Sequence, residues 1–182
     1  MSGSEILTTI AQLSVAVIGF SGIAIAFNRQ PGRLSEVEAY RVLILFANSF
    51  AAIFLSLLPF ALYHFGLSET AVWRTGSALC LLFELVFLAI HVPRTLTLLH
   101  KHRDLFSVPQ LCFVLCGHVI NVIIQLVNAA GLLTGRTLSL FILGRLWLLF
   151  HSVFQFGRIL FVQPLSGGAI SKTSRTGENE SR

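Results

Sequence analysis

The sequence predicts an all-α polytopic integral membrane protein with five transmembrane helices, its N-terminus outside and its C-terminus in the cytoplasm. Composition comes first: 54% of the 182 residues are hydrophobic and only 12% are charged, whereas a soluble domain carries about 25% charged residues. Next, five stretches, about 5–27, 40–65, 71–92, 109–133 and 138–161, are apolar and nearly free of charge. Each is long enough to cross a bilayer core of about 30 Å, which takes roughly 20 helical residues. Runs such as LLFELVFLAI and SLFILGRLWLLF do not alternate in polarity, which excludes a transmembrane barrel. Finally, the basic residues alternate from loop to loop. The leader has none, the first loop has Arg29 and Arg33, and the second has Arg74. The third has Arg94, Lys101 and Arg103, the fourth Arg136, and the tail Lys172, Arg175 and Arg182. Rich odd loops and a rich tail put the C-terminus inside. The net charge of +5 is therefore read as topology, with no nucleic-acid partner implied.

Taken in order, the first span follows a leader, Met1 to Glu5, without Lys or Arg. It is read as a retained span rather than a cleaved signal peptide, despite Ala24-Ile25-Ala26. Pro31 falls in the loop after it. The second span contains Pro59, which frees the Leu55 carbonyl and predicts a kink, with Ser56 expected to help fill the gap. Pro93 is expected to follow the third span, Pro109 to open the fourth and Pro164 to follow the fifth. Tyr40, Tyr63 and Trp73 are expected as interfacial anchors, and the phenylalanines as lipid-facing filler. Cys80, Cys112 and Cys116 all lie inside spans and are expected to be buried small apolar residues without a disulfide. A 1–165 transmembrane domain is then followed by a polar, Gly/Ser/Thr-rich tail, 166–182, expected to be disordered.

Polar residues at bilayer depth are costly and usually face protein or a wet cavity. In the fourth span His118, Asn121, Gln125 and Asn128 recur at intervals of three, four and three, which confines them to an arc of about 80°. Ser77, Cys80, Glu84 and His91 form a similar stripe on the third span. His151, Gln155 and Arg158 share a face of the fifth, with Arg145 to one side beside Ser152. Asn48, Ala52 and Ser56 mark the second span; Thr8, Gln12, Gly19, Gly22 and Ala26 mark the first. These faces are expected to converge. Glu84, His118, Asn121, Gln125, Asn128, Arg145 and His151 form the candidate intramembrane polar cluster. Glu84 and His118 lie at one depth, about 14 Å from the cytoplasmic end, and are expected to hydrogen-bond. Arg145 lies some 8 Å further out, so its link to Glu84 is expected to run through amides or water.

Chemical motifs are weak. Gly19-Phe20-Ser21-Gly22 has the GxSG string of an intramembrane serine protease nucleophile but not that family's helix context, and small-residue packing explains it better. His118 and His151 share a depth and invite axial haem ligation, yet lone intramembrane histidines are more often hydrogen-bonding groups. His100 and His102, expected in an exposed loop, are too few for a metal site. No Walker A string, dinucleotide fingerprint or zinc-protease motif occurs. The sequence points to no catalytic residues, no metal, no cofactor and no enzyme.

IAQLSVAVIGFSGIAIAF, the Arg/Pro/Glu loop, YRVLILFANSFAAIFLSLLPFAL, GLSETAVWRTGSALC and the closing WLLFHSVFQFGRILF resemble a group of uncharacterised small bacterial multi-pass membrane proteins. The resemblance covers most of the chain up to about Pro164 and implies a bacterial inner membrane, without implying an activity or ligand. The expected role is an accessory or structural component of a membrane complex, with the lipid bilayer and a homo-oligomer or membrane-protein partner as its contacts. The alternative is a small channel or transporter using Glu84, His118 and Arg145.

Overall fold

A chain in lipid must satisfy its backbone within its own helices. The computed structural model describes residues 3–27 and 35–162, and in it five helices are long and apolar enough to cross a membrane. They are α1 (Ser4–Phe27), α2 (Glu36–His64), α3 (Glu69–Lys101), α4 (Val108–Ala129) and α5 (Thr137–Val162), with one-turn 3-10 segments at Arg103–Leu105 and Thr134–Arg136. Pro31, Arg29, Arg33, Pro164 and the tail lie outside the described residues.

The boundaries have local causes. Ser35 caps α2 in a reciprocal box: the Glu38 backbone N–H donates to Ser35 Oγ at 3.3 Å, and Ser35 N–H donates to Glu38 Oε2 at 3.0 Å, satisfying donors that a helix start leaves open. Ser68 accepts from Ala71 N–H at the start of α3. Gly66, at φ +84°, makes the tight α2–α3 connection, a conformation that a Cβ would strain. At the far end of α4, Arg74 of α3 donates to the Ala129 and Ala130 carbonyls at 3.2 and 3.3 Å, placing a cation on the negative end of that helix.

α5 is the central helix and contacts all four others, with α1 and α2 on one side of it and the α3–α4 pair on the other. The outside is apolar: Phe20, Phe54, Leu82, Ile90, Ile120 and Val153 are all exposed. The inside is polar in about half of its buried residues. Every buried residue of α4 is polar, namely His118, Asn121, Gln125 and Asn128. This inverts the pattern of a helix in water.

Several expectations need correction. Pro93 does not end the third helix; it sits inside α3, which runs on to Lys101 and carries His100 in its last turn. The missing donor costs only the Ala89 carbonyl its bond, and Tyr40 on α2 braces the turn by donating to the His91 carbonyl at 2.9 Å. Pro59 lies within α2, but the Ser56 hydroxyl is buried without a hydrogen-bond partner and does not fill the gap. Tyr40 and Trp73 are core residues, 3% and 2% exposed, while Tyr63 is on the surface. Cys80 is buried, but Cys112 and Cys116 face outward on the apolar surface of α4. Phe87 and Phe141 are buried as well, not filler. The face of α1 that packs inward is Leu7, Ile10, Ala11, Ser14 and Ser21; Thr8, Gln12, Gly19, Gly22 and Ala26 are exposed. The Thr8 hydroxyl bonds the Ser4 carbonyl one turn back, so it requires no partner from another helix.

Candidate functional site

The α4 stripe meets α3, α5 and α2 in one hydrogen-bonded chain. Glu84 of α3 is fully buried and both its oxygens are engaged: Asn121 Nδ2 donates to Oε1 at 2.6 Å, and His118 Nδ1 stands 2.7 Å from Oε2. His118 Nε2 lies 2.9 Å from Nδ1 of His151 on α5, and His151 Nε2 lies 3.0 Å from the Gln155 amide one turn along. Asn48 of α2 reaches His151 Nδ1 at 3.3 Å. The His118 ring is held between Phe87, nearly parallel at 5.0 Å, and the Trp147 ring, edge-on at 5.5 Å.

While Glu84 is ionised, this chain admits at least two proton arrangements. Ionised Glu84 requires N–H at His118 Nδ1. In the first, both histidines are neutral, so His151 Nδ1–H donates to His118 Nε2 and Gln155 Nε2–H donates to His151 Nε2. In the second, His118 is an imidazolium whose Nε2–H donates to His151 Nδ1. Asn48 N–H then also finds an acceptor there, and His151 Nε2–H points at Gln155. Turning the Gln155 amide over presents its Oε1, which otherwise is buried without a partner; the two amide ends are interchangeable in shape. The two arrangements differ by one proton, which is what a histidine relay requires.

Of the remaining members of the predicted cluster, Gln125 extends the network and Asn128 makes a separate set of bonds between the same helices. Gln125 Nε2 donates to Asn121 Oδ1 at 3.3 Å and to the Leu140 carbonyl at 3.1 Å; Asn128 Nδ2 donates to Ser77 Oγ at 2.7 Å and to the Thr137 carbonyl at 2.8 Å. Arg145 is different. It is fully buried, its guanidinium lies 4.6 Å from the Phe141 ring centroid, and its nearest polar side-chain contact is the Cys80 thiol, a weak acceptor that leaves most of its N–H groups without a partner. Its charge acts on Glu84 and Cys80 through space. The run of amides from Glu84 continues through Asn121 to Gln125 and ends on the Leu140 carbonyl without reaching Arg145. A charge at the centre of a membrane-spanning helix costs about 2.5–3.5 kcal/mol on insertion scales, so a buried arginine with so few hydrogen bonds stands out.

At the basic end of the bundle a cavity of about 100 Å³ is lined by residues of α2, α3, α4 and α5 and reaches His118, His151 and Gln155. Tyr40, Arg41, His91, Thr95 and Arg158 also line it. The Tyr40 hydroxyl lies 2.8 Å from Thr95 Oγ1 and 3.2 Å from His91 Nδ1. Toward the opposite end Leu7, Val72, Trp73 and Phe141 pack as an apolar cluster, and a second cavity of about 480 Å³ reaches Asn121, which bonds Glu84.

Sequence reasoning missed Gly144. A Cβ there would collide with the Gln125 amide and meet Asn121 Oδ1 at 2.8 Å, so its bare backbone is what lets the α4 amides lie against α5. A glycine directly before a buried arginine was the available signal. Direct contact between His118 and His151 also removes the haem geometry in this arrangement. Two metal–nitrogen bonds of about 2 Å each set axial nitrogens about 4 Å apart, whereas these stand at 2.9 Å. Ser21, the serine of the GxSG string, donates to the Val17 carbonyl of its own helix at 2.6 Å. Compared with protein-family models, curated proteins and solved structures, the chain finds no significant match.

Proposed function

We propose that this is a multi-pass protein of a bacterial inner membrane, N-terminus outside and C-terminus cytoplasmic, whose core relays protons between a cytoplasmic vestibule and Glu84. It belongs in the class of small channels and transporters with an intramembrane polar pathway. The observation that carries this reading is the unbroken chain Glu84–His118–His151–Gln155 at the floor of a cavity. A merely structural network would gain nothing from a second proton arrangement, and interhelical bonds between amides alone would hold the helices as well. A proton entering at His151 Nε2 displaces the Nδ1 proton to His118 Nε2, and His118 passes its Nδ1 proton to Glu84.

The test is proton flux in proteoliposomes, driven by a potassium diffusion potential and read with an internal pH dye. Flux well above empty vesicles, lost in Glu84→Gln and His151→Phe with the fold retained, is expected. Wild-type vesicles no leakier than empty ones, or an undiminished Glu84→Gln, would overturn it. The apolar cluster toward the far end favours a second reading, an accessory or structural part of a membrane complex. A stable partner co-purifying in mild detergent, without flux by the isolated protein, would favour that reading.

A further inference from the structure

We infer that the cavity at the basic end is a binding site for a small monovalent anion, a carboxylate of acetate size, held by Arg41 and Arg158. Two guanidiniums from different helices, Arg41 on α2 and Arg158 on α5, line it and are close enough to repel one another, while among the described residues no Asp or Glu lines it. Arg41 is 7% exposed and spends one nitrogen on the Leu105 carbonyl at 2.6 Å, and its buried Nε has no partner. Glu38, which attracts Arg41, is tied back to Ser35 N–H and hydroxyl outside the cavity. Arg158 lies 5.9 Å from the Phe154 ring centroid, a contact that leaves its N–H groups open to a ligand. Like charges facing one space without a carboxylate are the usual electrostatics of an anion site.

Size and wall chemistry narrow the class. A cavity of about 150 Å³ holds benzene, and this one is about 100 Å³, which suits roughly four non-hydrogen atoms. Leu88, Val92, Leu111, Val114 and Leu115 supply apolar walls, which favour a carboxylate carrying a methyl group over a hydrated inorganic ion. The imidazoles of His118 and His151 form the floor. Where the proton relay operates, the carboxylate gains an O–H bond as a histidine N–H breaks, and the neutral acid carries that proton. This coupling rests on the function proposed above; the binding itself does not.

The experiment uses the full chain in phosphatidylcholine nanodiscs with radiolabelled acetate as the probe. Saturable binding is expected, competed by formate and nitrate but not by choline, weakened at least tenfold in Arg158→Gln and largely restored in Arg158→Lys. Glu84→Gln should bind acetate normally. Absence of saturable binding by folded protein would overturn the inference, as would equal binding by Arg158→Gln. It would also fall if acetate binding vanished in phosphatidylglycerol nanodiscs while that lipid stayed bound in native mass spectra of the wild type but not of Arg158→Gln. In that case the two arginines hold a lipid headgroup. Proton flux without acetate binding removes this inference and leaves the relay; acetate binding without flux does the reverse.

Discussion

α4 and α1 both carry a stripe of polar or small residues at helical spacing, and the bundle turns them in opposite directions. The α4 stripe, His118 to Asn128, supplies every buried residue of that helix. The α1 stripe of Thr8, Gln12, Gly19, Gly22 and Ala26 faces outward. The difference lies in what each group can satisfy within its own helix. Thr8 and Thr9 donate to carbonyls four residues back, and glycine and alanine have no polar side chain. An imidazole or a primary amide carries two or more polar sites, and its own helix can occupy only one of them. The rest demand a partner across an interface, since lipid offers none. Spacing alone marks a stripe, and a group that its own helix cannot satisfy draws it inward, whereas self-satisfied hydroxyls lie on either face, as Ser14 and Ser21 inside and Thr8 and Thr9 outside show. Gln12 departs from this rule, an exposed amide that nothing in the single chain explains.

The severest way to break the inward stripe is to remove the acceptor it is built around. Glu84→Leu strands His118 Nδ1–H and Asn121 Nδ2–H and leaves Arg145 without its neighbouring negative charge. Removing one partner of a buried charged group costs about 3–5 kcal/mol, so thermal unfolding in detergent should drop sharply or the protein should fail to accumulate. Glu84→Gln keeps hydrogen bonding to one of the two groups and should cost less than half as much. Equal stability of the two variants would mean that the carboxylate is not the anchor of the α4 face.

Much of this was legible in the sequence, for reasons that can be named. The three-four-three spacing from His118 to Asn128 and the common depth of Glu84 and His118 follow from helix geometry, and both groups lie in the network. What stayed hidden depends on neighbours. Tyr40 and Trp73 look like interfacial anchors by type and position, but their burial is set by which helices pack beside them. Pro93 looks like a stop, but a helix tolerates it where another helix braces the turn, as the Tyr40 hydroxyl does. Arg41 and Arg158 sit near the ends of their spans, where a basic residue reads as a topology signal, yet both lie inside their helices and line the cavity.

The mildest and sharpest comparison applies one substitution to both helices. Gly144→Ala puts a methyl group against the Gln125 amide and Asn121, and overpacking of this kind costs about 1–3 kcal/mol. Gly22→Ala on α1 meets nothing within 4 Å; replacing a mid-helix glycine by alanine recovers up to about 1 kcal/mol of backbone entropy, so this variant should be neutral or slightly more stable. Opposite signs in denaturation of the detergent-solubilised monomer are the expected result. A loss at Gly22 in detergent would contradict the outward placement of the α1 stripe. A loss that appears only in bilayers would mean that another surface packs on it there, which fits the exposed Gln12 on the same side. An unaffected Gly144→Ala would remove the close approach on which the Gln125–Leu140 bond and the seating of the α4 amides against α5 depend.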